Sequence, residues 1–187
     1  MKQKSKTIGR CQISGSKDLK TILSLGYLPP VNKLIKINST LCEEVFYPSE
    51  LMYSQSSKLV QLSTIVNKEI LFSKDYPYTS STTKILRDNF KELYENCKKI
   101  INISPKDLII DIGSNDGNLL NNFKNHHKVL GITPEKIGKI AIKNGIRTLI
   151  RYFDKNTSNL VLKKFGKAKI ITATNVFAHI ENVNSLM

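Results

Sequence analysis

The 187-residue chain is long enough for one full domain or two small ones, and its 40% hydrophobic content is compatible with a packed core. Its formal net charge of +14 points toward nucleic acid or an acidic surface. However, the lysines are scattered among Asn and Ile, and no arginine-rich, aromatic-interleaved patch for stacking bases exists, so a solvated lysine surface accounts better for the charge. No apolar run approaches the ~20 residues that span a bilayer, which excludes a transmembrane helix.

The start, MKQKSKTIGRC, is basic but leads into no apolar signal region, so a cytoplasmic protein is expected. Cys11, Cys42 and Cys97 form an odd, widely spaced set, which argues for reduced thiols rather than a disulfide framework. Short apolar pieces follow (TILSLGYLPPVN, EEVFYPSELMYS and KLVQLSTIV), broken by Gly26, Pro29, Pro30 and Pro48, and they predict a small, loop-rich module with a few strands. The chain divides near residue 80, giving expected domains of 1–79 and 80–187. Ser80 or Ser81 can cap a long helix to about Lys99, along which Ile85, Leu86, Phe90, Leu93, Tyr94 and Cys97 recur at three- and four-residue steps.

The segment LIIDIGSNDG, Leu108 to Gly117, is the most informative in the chain. Leu108, Ile109 and Ile110 suit a central parallel strand covered on both faces, and Asp111 sets a carboxylate toward its carboxyl end. Gly113 and Gly117 remove Cβ atoms where the chain must turn sharply and let a ligand approach the backbone. From Asn118 onward, NLLNNF reads as a helix with Leu119, Leu120 and Phe123 at helical spacing. Strand, turn and helix start together predict a ligand crevice at the carboxyl edge of an open α/β sheet. Further strands at HKVLGI, RTLI and AKIITAT alternate with helical stretches EKIGKIAIKNG and NTSNLVLKKFG, as a doubly wound parallel sheet requires. His126 and His127, near lysines, read as loop residues before the second of these strands.

The spacing is not the dinucleotide GxGxxG, and no P-loop lysine follows. It resembles the S-adenosylmethionine (SAM) motif, an acidic residue followed by GxGxG, with Asn115 in place of the middle glycine. Asn enters left-handed conformations readily, so the turn survives the replacement. The resemblance implies that Asp111 accepts a hydrogen bond from the methionine ammonium and that Gly113, Ser114, Asn115 and Gly117 lie against the cofactor. An ordinary strand-turn-helix corner is the alternative.

Five segments extend the likeness over nearly the whole chain: CQISGS with LSLGYLPPVN, then KLVQLSTIV, DYPYTSSTT, DIGSNDGNLLNNF with VLGITPE, and ITATNVFAHIENV. In this order they resemble the amino-terminal half of the SAM-dependent sugar C-methyltransferases, which methylate carbon in nucleotide-linked deoxysugars. The resemblance implies a Rossmann-like class I SAM methyltransferase domain, here an incomplete parallel sheet, preceded by a small module that often holds zinc. It further implies a nucleotide-sugar substrate, while the lack of a long apolar run gives no reason to expect a membrane partner.

Three departures stand beside the match. The zinc of such modules is held by two CxxC pairs, and the aligned positions here are Cys11, Ser14, Ser54 and Ser57; one thiolate cannot hold a closed tetrahedral site, so no zinc is expected and the module is expected to hold by packing alone. At the end of the second strand, where these folds place a carboxylate for the cofactor ribose, stands Thr133, whose neutral hydroxyl lacks charge assistance. Glu135 can reach back, although a surface glutamate at a helix start is the blander reading. Finally, the sequence given stops at Met187, after the fourth predicted strand, so a truncated product or a chain completed by a partner or a second copy is expected, with an open sheet edge.

Carbon alkylation next to a ketone needs a base for the α proton and a donor for the enolate oxygen. His179, in NVFAHI, is the candidate base, with a helix-surface histidine as its alternative. Tyr76 and Tyr78 are candidate donors, of which at least one can be simple core packing. Asn175 is a candidate for bonding cofactor or substrate. Two other classes stay open: a non-catalytic SAM-binding or interaction fragment, and a nucleic-acid methyltransferase or binding protein. Against the latter, TNVF stands where a base-flipping amino-methyltransferase would carry an (N/D)PPY-type motif.

Overall fold

The computed structural model describes residues 4–31, 34, 37–38, 40, 43–73 and 77–187. Two compact units emerge, one of residues Met1–Ser73 with Ile180–Met187, the other of residues Lys74–His179. Among the described residues no helix is long and apolar enough to cross a membrane. Cys11 and Cys97 are free thiols, and Cys42 lies outside the described residues.

The first unit is richer in strands than its turn signals suggest. β1 (Ser5–Thr7) pairs antiparallel with β5 (Thr64–Val66), and β2 (Leu19–Leu28), β3 (Tyr47–Ser54) and β4 (Val60–Leu62) form an antiparallel sheet in that order. Pro48 pairs with Tyr27 within β3, next to the register shift between Ser24 and Tyr27, a place where a ladder tolerates a residue without an N–H. A short helix, α1 (Lys68–Leu71), follows, its Asn67 side chain accepting from the Glu69 amide. A second, α5 (Val183–Leu186), starts at Asn182, which accepts from the Ser185 amide.

The buried residues of this unit are mostly polar. Only Cys11 and Tyr47 are buried among its described hydrophobic residues, beside Ser54, Gln61, Ser63 and Thr64, while Ile22, Leu23, Leu25, Tyr27 and Leu28 of β2 are exposed. Among the described residues the apolar side chains of β2 face outward and those of β3, Tyr47 apart, are only half-buried, so apolar packing contributes less to this module than expected. Its interior is cross-linked by hydrogen bonds.

The second unit is a mixed α/β layer structure consistent with a Rossmann-like fold. β6 (Leu108–Ile112), β7 (Lys128–Thr133), β8 (Thr148–Ile150) and β9 (Ala168–Thr172) make a parallel sheet ordered β8-β7-β6-β9. Every residue of the central β6 is buried, and its alternation feeds two cores. Ile109 joins Phe90 and Tyr94 of α2 (Lys84–Ile100) with Leu119, Leu120, Phe123 and Ile170 on one face. Leu108, Ile110 and Ile112 join Leu130, Ile132 and Val161 of α4 (Lys155–Phe165) on the other. The Asp154 side chain caps α4 by accepting from the Thr157 amide, and α3 (Gly138–Lys143) fills the connection between β7 and β8.

Two expected helices differ. The NLLNNF segment forms only a 3₁₀ turn over Leu120–Asn122. Asn122 Nδ2 turns back to the carbonyls of Asn118 and Leu119, and β7 begins too soon for a longer helix, although Leu119, Leu120 and Phe123 are buried as their spacing predicts. The long helix starts at Lys84 rather than Ser80 or Ser81, because those serines are engaged elsewhere, and Ile85 remains 80% exposed.

Candidate functional site

The site is built on the carboxyl end of β6. Asp111 is 3% exposed and its Oδ1 accepts from Thr172 Oγ1 on β9 at 2.7 Å. Burial pushes its carboxyl up to about 7, against the smaller downward pull of the Thr172 hydrogen bond. A buried acid so placed is neutral or charged at neutral pH according to its partner, and a cation brought against it would favour the carboxylate.

After β6 the chain reverses through three left-handed residues, Gly113 (φ 74°), Asn115 (φ 50°) and Gly117 (φ 84°). Asn115 adopts the conformation that its amide side chain tolerates. The Gly113 and Ser114 amides both donate to the Ile132 carbonyl at 2.7 and 3.2 Å, which ties the turn to the end of β7. Space matters here as much as torsion. A Cβ on Gly113 would lie 2.2 Å from Val176 Cγ2, and one on Gly117 would lie 2.6 Å from Ile146 Cδ1. At both positions the room left by the absent side chain is taken by the protein's own residues, so the glycines are needed for packing as well as for torsion.

The turn carries a strap that sequence reasoning missed. Asn115 Oδ1 accepts from the Ser80 amide and its Nδ2 donates to the Tyr78 carbonyl, both at 3.0 Å. Buried Asp116 accepts from the Ser80 hydroxyl at 2.5 Å and the Ser81 amide at 3.1 Å, and Asn118 Nδ2 donates to the Ser80 carbonyl. Residues 78–81 are thus bound edgewise to the glycine turn, which accounts for the late start of α2. The available signal was the pair of polar side chains in SNDG beyond what a turn needs.

At the end of β7, buried Thr133 donates its hydroxyl to Glu135 Oε2. Glu135 is itself buried, so the surface reading of this glutamate is corrected: it folds back over the strand end. Ser114 Oγ is buried without a hydrogen-bond partner among the described residues, above Gly131 of β7. An orphaned buried hydroxyl is uncommon in a folded protein.

The remaining predicted residues are more loosely placed. Asn175, with φ 54°, and His179, in a 3₁₀ turn over Phe177–His179, follow β9 and are exposed. Val176 between them packs on the Gly113 position, so this segment borders the turn. Tyr78 is 47% exposed, hence not core, and Tyr76 lies outside the described residues. His126 precedes β7 as expected, while His127 Nδ1 bonds with the Ser104 carbonyl and its ring packs near Tyr94 and Phe123.

Residues 11–72 match a family model described as "Putative zinc binding domain". The chain is 22% identical over 182 residues, 96% of its length, to C-methyltransferase NovU of Streptomyces niveus. It spans less than half, 43%, of that curated relative. The likeness read from five collinear segments thus recurs in the comparisons: the chain is similar over nearly all its length to part of a C-methyltransferase.

Proposed function

We propose that this chain supplies the SAM-binding part of a C-methyltransferase acting on a nucleotide-linked keto-deoxysugar in the cytoplasm. The observation that carries the reading is the buried Asp111 at the end of the central strand, hydrogen-bonded to Thr172 beside a turn with an unpartnered Ser114 hydroxyl, in a chain similar over 96% of its length to a C-methyltransferase. These residues fit the cofactor. Asp111 would take the ammonium, Ser114 a polar group at the turn, and Thr133 with Glu135 the ribose hydroxyls. The Gly113–Gly117 backbone and Asn175 would line the same crevice.

SAM supplies the methyl electrophile when bound. This chain's own groups would orient it and manage the sugar's protons. His179 would take the proton from the carbon next to the ketone, and Tyr78, with Tyr76, would donate a hydrogen bond to the enolate oxygen that forms. The strap from Asn115 and Asp116 sets the backbone from which Tyr78 projects. Because the chain spans only part of its relative, sugar selection and turnover are proposed for the complete methyltransferase, with further residues or a second chain contributing.

Calorimetric titration of the purified chain with SAM and S-adenosylhomocysteine tests the reading. Saturable binding, lost in Asp111→Ala, is expected. A folded chain that binds neither ligand would sink it and would favour a non-catalytic interaction role.

A further inference from the structure

The first unit contains two turns built on the same backbone plan. In one, the Cys11 amide donates to the Ser16 carbonyl, the Ser14 amide to Cys11 Sγ at 3.4 Å, and Gly15 has φ 71°. In the other, the Ser54 amide donates to the Leu59 carbonyl, the Ser57 amide to Ser54 Oγ at 3.4 Å, and Lys58 has φ 61°. These three elements of the first turn recur in the second 43 residues later. An amide three residues on donates to the first side chain, a left-handed residue stands at the fourth, and the carbonyl of the fifth accepts. Lys58 adopts that torsion without being glycine, at a cost in backbone strain.

The two turns face each other. Cys11 Sγ and Ser57 Oγ share a hydrogen bond at 3.1 Å, and Ser14 Oγ lies 3.3 Å from Ser56 Oγ. Asp18 reaches across both: it accepts from the Ser16 hydroxyl, from Ser54 Oγ at 2.8 Å and from the Ser56 amide at 2.6 Å. Gln61 braces the first turn from below, accepting from the Gln12 amide and donating to the Arg10 carbonyl.

Two facing x₂-spaced turns are the arrangement of a tetrahedral metal site, and the family model matched by residues 11–72 is described as a "Putative zinc binding domain". The residues present do not fit a metal. Serine hydroxyls are not thiolates, and among the described residues no group of three or more His, Cys, Asp or Glu side chains could hold an ion.

We propose that this unit is a metal-independent form of the zinc module, in which a thiol–hydroxyl network centred on the Asp18 carboxylate joins the two turns where a metal would. A single carboxylate accepting from both turns replaces the cross-link that four thiolates around an ion would supply. Among the described residues of the unit only Cys11 and Tyr47 are buried hydrophobics, which leaves much of the joining of the two turns to this cross-link. The same donors act on the acids they surround. Burial pushes the Cys11 thiol up, yet hydrogen bonds from Ser14 and Ser57 outweigh it and bring the thiol down to about 6. The Ser16 hydroxyl, then the Ser56 amide, hold Asp18 well below the usual carboxylate range.

The test uses the full chain. Purified protein is expected to carry no stoichiometric zinc and to melt at the same temperature with and without EDTA. One zinc per chain with chelator-sensitive melting would overturn the proposal. Asp18→Asn is expected to speed hydrogen exchange at the Ser56 and Ser57 amides about tenfold, the loss of one charge-assisted bond, while the second unit is unchanged. Unchanged exchange there would remove Asp18 as the hub. Ser14→Cys, Ser54→Cys and Ser57→Cys together are expected to create a site for one zinc that raises the melting temperature. A folded triple variant that takes up no zinc would show that the turns do not converge as described. If the triple variant does not fold, exchange in the native chain decides: slow, EDTA-insensitive exchange at the Ser14 and Ser57 amides supports the network, and fast exchange refutes it.

Discussion

The Ser80 hydroxyl donates to the buried Asp116 carboxylate at 2.5 Å, across 36 residues of sequence, and so binds the segment before α2 to the turn after β6. Asp116→Ala should therefore cost about 1.5–3 kcal/mol of stability, the range for a lost charged hydrogen bond, and should free residues 78–81. Urea unfolding measures the first and amide exchange at Ser81 the second. A variant as stable as the parent, with Ser81 equally protected, would show that the strap is not held there.

Asp111 predicts a pH dependence with a definite sign. Its native value, about 7, exceeds its ordinary 3.8, so between these values the folded chain holds a proton that the unfolded chain has released. Stability falls as pH rises through that interval, at up to about 1.4 kcal/mol per pH unit, and is flat from this group outside it. Asp111→Asn, which cannot ionise, should lose that slope. Parallel unfolding curves for both proteins from pH 4.5 to 7.5 would contradict the assignment.

The same proton gives the cofactor reading a second observable. If a SAM ammonium meets Asp111, binding near pH 6 should release a proton as the carboxylate forms. Calorimetry in buffers of different ionisation enthalpy reads this directly. Proton-neutral binding would place the ammonium elsewhere.

Gly113→Ala should destabilise by about 2–4 kcal/mol, combining overpacking against Val176 with strain at φ 74°. Adding Val176→Ala should recover the packing part and leave the strain. Additivity of the two substitutions in a double-mutant cycle would mean that the Cβ does not meet Val176.

Glu135→Gln keeps the shape over Thr133 but removes the charge. If the proposed ribose contact holds, it should weaken SAM binding about tenfold, since a charge-assisted bond is roughly twice as strong as a neutral one, and it should also lower the melting temperature slightly through the weakened Thr133 bond. Unaltered affinity would remove Glu135 from the proposed ribose contacts.

Local pattern alone determined where the parallel strands lie, because apolar runs of β6, β7, β8 and β9 and the left-handed demands of Gly113, Asn115 and Gly117 act within a few residues. The same locality made Asp111 legible as a strand-end carboxylate. Where tertiary partners competed with local preference, the sequence misled. Ser80 forgoes a helix cap for Asp116, NLLNNF tightens into one 3₁₀ turn, and Glu135 folds inward onto Thr133 rather than facing water. Nothing in the spacing of Cys11, Ser14, Ser54 and Ser57 reveals that Asp18 and Gln61 tie them together, because hydrogen bonds between residues some 36 to 51 apart depend on how β3 and β4 bring distant turns face to face. The chain's own sequence determined its strands, its turn and its kinship; only the tertiary structure decided which polar groups satisfy one another, since a buried donor takes whichever acceptor the fold brings within reach.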